Sequence, residues 1–351
     1  MLANLELAEL LARASAQEDA PHRQRALRRA SRHALMWPEE AHAVLEGGRS
    51  LTELRAVGPW VARILEGWME APPELPEPPA LRSGFLSFAH ALEVVRANPD
   101  WVVRGDHQVH STWSDGSLPV RGMVDQAAPY GYDRIAITDH SKGLPIARGM
   151  PEEKLARQAR EIASVNADLE AEGASIRVLH AIEMNLSPLG EGDMDPEALW
   201  NLDLVLGAFH SKLRTKEDQT ERYVAALRNP DINVLAHPRG RRWDHRLGLG
   251  ADWGRVFAEA AEQGVALEID AYPDRQDLNV ELLEVARESG CWISMGTDAH
   301  ADWELQFMPM AVAAAILARV PRDRVLNLLP REQLVLWARQ ARDRRRGGGV
   351  G

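Results

Sequence analysis

The chain has 351 residues, of which 45% are apolar and 26% charged, and its formal net charge is −11. That length holds one large domain and a small one, and the acidic balance argues against a chain built mainly to coat nucleic acid, while carboxylates leave room for metal binding. A single cysteine, Cys291, excludes an internal disulfide framework and a thiolate zinc cluster.

The first residues, "MLANLELAELLARASAQEDA", lack a basic stretch followed by an apolar run, so no signal peptide is expected. No apolar run approaches the roughly 18 residues of a membrane span, and a cytoplasmic protein is expected. Residues 1–70 read as a small helical domain. "LELAELLARAS" and "RQRALRRASRHAL" place apolar residues at helical spacing. In "LTELRAVGPWVARILEGW" two short helices are expected to flank Val57-Gly58-Pro59, with Gly as a stop and Pro suited to restarting a helix. "APPELPEPPA" (71–80) is a stiff, extended linker, and a connecting helix fills the rest of 71–100.

From about residue 101 to 340 short strand-like runs alternate with amphipathic stretches such as 151–172 and 279–289. The runs are "WVVRGDHQVH", "DRIAITDH", "SIRVLHAIEM", "LDLVLGAFH", "INVLAHP", "ALEID" and "WISMGTDAH". Seven βα units predict a parallel α/β barrel, with a doubly wound sheet as the other solution. Residues 341–351, "RDRRRGGGVG" and its preceding Ala, read as a solvated, flexible tail.

The strand-like runs end in His110, His140, Glu183, His210, His237 and the pair Asp298 and His300. In a parallel barrel those ends converge on one face, where active sites form. Imidazoles and carboxylates without sulfur suit zinc, manganese or iron, and this many donors exceed what one ion needs. Side chains alternate along a strand. Gln108 therefore shares a face with His110 while His107 points away, and His180 points away from Glu183. Asp115, in "SDG", is either a ligand reaching back or a turn former.

Basic residues follow the same ends: Lys212 and Arg214, then Arg239, Arg241 and Arg242, then Arg275. Arg forks match phosphate oxygens. Lys212, Arg239, Arg241 and Arg275 are the candidates for a substrate phosphate, with Arg239 and Lys212 foremost.

With these residues in place, 101 to about 340 resembles the PHP superfamily (polymerase and histidinol phosphatase), and within it the PHP module of bacterial family X DNA polymerases. The matching pieces are "HSTWSDG", "AITDHSKGL", "AIEMNL", "GAFHS", "AHPRGR", "RQDL" and "MGTDAH", in the family's order. The resemblance implies a distorted (β/α)7 barrel with two or three divalent ions. Its ligand set falls on His110, Asp115, His140, Glu183, His210, His237, Asp298 and His300. The family's first histidine falls on Gln108, which offers only a neutral carbonyl, so two tightly held ions and a weaker third are implied.

Residues 1–70 resemble the small helical domain of the same polymerases, ending in a helix-hairpin-helix whose turn, here Ala56-Val57-Gly58, holds a DNA phosphate on backbone N–H groups. The region contains no lysine, which excludes a Schiff-base lyase, and only about 30 residues separate it from the barrel, which excludes a polymerase palm. The implied activity is metal-dependent phosphoester hydrolysis on a nucleotide or DNA 3′ end. The alternatives are a phosphomonoesterase of small metabolites, a non-catalytic metal- or DNA-binding module, and an amidohydrolase-type barrel, whose ligand order fits less well. The partners implied are a phosphorylated substrate and the DNA backbone, with no membrane.

Overall fold

The computed structural model describes residues 1–347. Five helices come first: α1 (Asn4–Gln17), α2 (Pro21–Ala34), α3 (Ala41–Glu46), α4 (Pro59–Glu70) and α5 (Phe88–Arg96). Then strands and helices alternate: β1 (Gly105–Val109), α6 (Val120–Ala127), β2 (Arg134–Ile137), α7 (Glu152–Ala171), β3 (Arg177–Asn185), α8 (Pro196–Leu199), β4 (Leu204–Ala208), α9 (Thr220–Leu227), β5 (Val234–Leu235), α10 (Trp253–Gln263), β6 (Ala266–Asp270), α11 (Val280–Glu288) and β7 (Ile293–Gly296). The helices α12 (Met308–Leu317) and α13 (Arg331–Gly347) complete the chain.

Local chemistry explains these elements. Glu6 reaches back to the Ala3 N–H at 2.7 Å and starts α1. Helix α7 buries Leu155, Gln158, Ile162, Val165 and Leu169, one stripe at helical spacing. Asp252 caps α10, and Gly264, at φ 63°, stops it. β1, β2, β4, β5, β6 and β7 are buried along their whole length, as strands covered on both faces must be.

All seven strands are parallel, in the order β1 to β7. A bridge from Val109 to Ala299 nearly closes the barrel, and the Thr297 N–H donates to Asp106 at 3.1 Å across the same seam. Gly296 is required there: a Cβ would come within 2.5 Å of Gln108 Cβ. The expected barrel is therefore present, and the open doubly wound sheet is not.

Three expectations change. The first helix of the hairpin is a single 3-10 turn, Leu51–Glu53, and the left-handed Ala56 (φ 68°) leads into Gly58, the N-cap of α4. The segment after the linker does more than connect, because Phe85 joins Leu7, Leu11, Leu35 and Trp37 in the helical core, together with Trp243 from the barrel. The expected flexible tail is helical through Gly347. In α13, Arg342 is buried and donates to the Leu199 and Leu202 carbonyls at 2.9 and 2.5 Å, and Arg346 pairs with Asp231. A charge run taken as solvated instead satisfies carbonyls that helix and loop ends leave open. Residues 348–351 lie outside the described residues. No helix among the described residues is long and apolar enough to cross a membrane.

Candidate metal centre

The eight donors meet at the C-terminal mouth of the barrel. Glu183, completely buried on β3, sits in the middle. Its Oε1 lies 2.7 Å from His237 Nε2 and 3.1 Å from His210 Nε2, and its Oε2 lies 2.9 Å from His140 Nδ1 and 3.5 Å from His110 Nε2. His110 Nε2 is 3.0 Å from Asp298 Oδ1. Asp115 Oδ1 is 3.4 Å from His300 Nε2 and 3.5 Å from His140 Nε2. The rings of His110, His140 and His300 stack at 4.2 and 4.5 Å.

Outer contacts aim these rings. His210 Nδ1 faces Asn185 Oδ1 at 3.2 Å, and His300 Nδ1 faces the Asp298 carbonyl at 2.8 Å. A proton on each Nδ1 leaves the Nε2 lone pair pointing into the cluster. Asp139 accepts from the backbone N–H and the hydroxyl of both Ser111 and Ser114, and from Gln158. That pins the "HSTWSDG" loop and presents Asp115. Gly116 completes the loop, since a Cβ there would come within 2.5 Å of the His110 carbonyl. His237 and Asp298 are held at positive φ, 27° and 52°, backbone strain of a kind that collects at functional sites.

The donor set fits divalent cations. His110 Nδ1 is buried without a hydrogen-bond partner, and the buried His140 Nδ1, Glu183 Oε2 and Asp115 Oδ1 lie within ion-pair range of their neighbours but in no well-directed hydrogen bond, a cost that native interiors avoid unless something else satisfies the atoms. Three overlapping groups each place their donors within 4.8 Å of one another: His110, Asp115, His140 and His300; His140, Glu183 and His210; and His110, Glu183 and Asp298. Burial pushes the Glu183 carboxyl up, yet the His140 and His210 charges hold it well below the ordinary range. Burial also opposes charge on His237 and His300. Their carboxylate neighbours, Glu183 and Asp115 first among them, nevertheless raise them to about 10 and about 9. A site that traps protons this firmly is negative enough to take metal ions in their place.

No family model matches the chain. The DNA polymerase/3′-5′ exonuclease PolX of Bacillus subtilis is 34% identical over 254 residues, covering 71% of this chain and 43% of that protein. A probable phosphatase of Tolumonas auensis is 30% identical over 166 residues, 44% of this chain and 65% of that one. The chain thus spans less than two thirds of the length of either. Among solved structures, histidinol phosphate phosphatase from Lactococcus lactis, complexed with zinc, L-histidinol and phosphate, shares 18% identity at a TM-score of 0.41, over 62% of this chain and 92% of that one.

The chain belongs to the PHP superfamily.

In this PHP member the structure brings together all eight donors read from the sequence. Gln108, at the family's first-histidine position, does not join them as a carbonyl ligand. Its side-chain amide packs against the Glu268 carboxyl, and turned so that its hydrogen bonds are satisfied it sets its nitrogen 2.5 and 2.9 Å from the two carboxylate oxygens. The pair is completely buried, and burial pushes Glu268 well above the ordinary carboxyl range. Glu268 and Asp270 went unread, although their i, i+2 spacing on β6 was a usable signal. His107 lies outside the site, between Ser294 Oγ at 3.0 Å and Arg134 Nε at 3.2 Å. His180 also lies off the cluster, on the lower half of β3.

The cationic residues sort differently from expectation. A cavity of about 280 Å³ opens over the donors, with Leu144, Ile146 and Leu213 among its apolar lining and Arg241, Arg242, Arg246 and Arg275 on its basic side. Lys212 and Arg239 do not line it. Arg239 Nη2 turns away to the Leu247 carbonyl at 3.0 Å, and Lys212 is exposed at positive φ. Arg275 is in the cavity but paired with Asp298 and Asp270. Arg241 is spent on the Ser83 and Gly84 carbonyls and on the face of Phe85, 3.7 Å away. Arg246 was missed. It makes no ion pair within 4 Å among the described residues, and its Nε donates to the Gly240 carbonyl. A loop fold, not a strand period, decides which of these arginines turns inward, and spacing carries no signal for that.

Proposed function

We propose that this PHP chain is a metal-dependent phosphoesterase. The carrying observation is the convergence of eight imidazole and carboxylate donors, five of them buried, beneath a cavity with arginines on one wall. His110, Asp115, His140, Glu183, His210, His237, Asp298 and His300 would hold two or three ions of zinc, manganese or iron. Bound there, such ions act as Lewis acids and make hydroxide available near neutral pH. The chain's own residues bind and orient the ester. Arg246, with no carboxylate partner, and Arg242, 40% exposed, are placed to take phosphoryl oxygens and to offset charge that grows in the transition state. Asp115 and His300, with side chains 33% and 29% exposed, are the donors nearest the opening and mark the side from which the ester arrives.

For the substrate we favour a nucleotide or DNA 3′ end, on the strength of the 34% identity to a polymerase with 3′-5′ exonuclease in its name. The hairpin at Val57 and Gly58 would then meet the DNA backbone. Residues 1–100 carry 11 basic against 14 acidic side chains, which supports the second reading, a small phosphate monoester. Hydrolysis of an aryl phosphate and shortening of 3′-labelled single-stranded DNA, each with and without chelator, test this. Metal-dependent action on both is expected. Turnover of the monoester with intact DNA leaves the second reading, and a chain that binds no zinc or manganese is a binding module instead.

A further inference from the structure

The loop between β5 and α10 carries Arg241, Arg242 and Arg246 of the cavity's basic side, and the helical domain holds that loop in place. Trp243 leaves the barrel and enters the helical core, where it is 5% exposed and meets Phe85 edge-on at 5.0 Å. Its indole N–H points at Ser31 Oγ on α2, 3.4 Å away, and its backbone N–H donates to the Asp274 carbonyl at 2.7 Å. The residues beside it are fastened as well. Asp244 pairs with Arg82 at 2.6 Å, and Arg82 pairs in turn with Glu9 of α1 at 2.6 Å. The buried Asp274 Oδ2 accepts from Arg242 at 3.0 Å and forms an ion pair with Arg32 Nε of α2, 2.7 Å away. A tight turn then links Arg242 and Arg246 through reciprocal backbone bonds of 2.8 and 3.0 Å.

From this we infer that Trp243 is a positioning residue: the helical domain is part of the phosphate-binding apparatus and holds Arg242 and Arg246 toward the metal cluster through it. The inference rests on the phosphoesterase reading for the cavity but is separate from any role of the helical domain with DNA. A long loop without such an anchor would have to lose its freedom each time a phosphate bound. An anchored loop has already lost it in folding.

The test uses the full, metal-loaded chain, with inorganic phosphate as probe and an aryl phosphate as substrate. Trp243→Ala is expected to weaken phosphate binding and raise KM about tenfold, the loss of about one charge-assisted hydrogen bond. Metal content should change little, kcat should fall because the same arginines offset transition-state charge, and Trp243→Phe should restore most of the affinity. Arg32→Ala, on the exposed flank of α2, serves if Trp243→Ala fails to fold, and should raise KM about threefold, the loss of less than one full hydrogen bond. Unchanged phosphate affinity and KM in whichever of these variants folds would overturn the inference. Wild-type protein that binds phosphate without hydrolysing the ester sinks the enzymatic reading alone, and the variants' phosphate affinities still decide the positioning role. Wild type that binds no phosphate sinks both.

Discussion

His107 and His110 stand three residues apart on one barrel wall, and both are completely buried. They have opposite fates. His107 has both ring nitrogens engaged, by Ser294 and Arg134, and the Arg134 guanidinium is itself tied to the Leu326 and Leu329 carbonyls at 3.0 Å. That is a closed polar network, sealed by the segment that precedes α13. His110 has Nδ1 without a partner and Nε2 facing the carboxylates of Asp298 and Glu183. Burial drives both rings toward the neutral form. In this pair the ligand is marked by the carboxylates its ring nitrogen faces, not by its depth.

The sharpest way to break this comparison is to truncate each ring. His110→Ala should lower metal affinity and ester turnover by more than about 100-fold, above the range for residues that merely orient ligands. His107→Ala should keep its metal and turnover, yet lose roughly 1–3 kcal/mol of stability by leaving the Arg134 network unsatisfied. Elemental analysis and denaturant melts check the pair, and equal metal loss in both variants would erase the distinction. A milder probe is Asn185→Ala, which frees the His210 ring. Metal affinity should fall about tenfold, the lower end for an outer-shell partner, measured by competition with a chelating dye. The smallest effect concerns pH. In metal-free protein His237 and His300 are raised to about 10 and about 9 from an ordinary 6.5. Their protonated rings stabilise the fold fully below that ordinary value and cease to as pH climbs through both raised values. Melting of chelator-treated protein should therefore drop by a few degrees between about pH 7 and about pH 10.5, and metal-loaded protein should drop less.

Much of this was legible because a barrel converts chain order into place. Seven strand-like runs end on one face, so His110, His140, Glu183, His210, His237, Asp298 and His300 could be grouped before any contact was known. Parity separated His107 and His180 from them. What stayed hidden depends on loops and on charge compensation. Lys212 and Arg239 were reasonable phosphate residues by position alone, but the loop after β5 turns Arg239 outward and Arg246 inward. Arg275 reached the cavity only to neutralise Asp298. The arginines of α13 were misread because a cluster of like charge is ordinarily solvated, whereas here Arg342 and Arg345 meet bare carbonyls of the barrel's other end. Trp243 carries no signal in the sequence, since no periodicity reveals that a side chain belongs to a different domain's core.

The central place of Glu183 has one more consequence. Its two oxygens face four imidazoles, and it belongs to two of the three donor groups, which also share His110 and His140. The ion positions are therefore not independent compartments. Whatever charge settles in one group changes the protonation and direction of atoms that the next must use. The cluster acts as a single multivalent ligand, and how readily it fills depends on how far it is already filled.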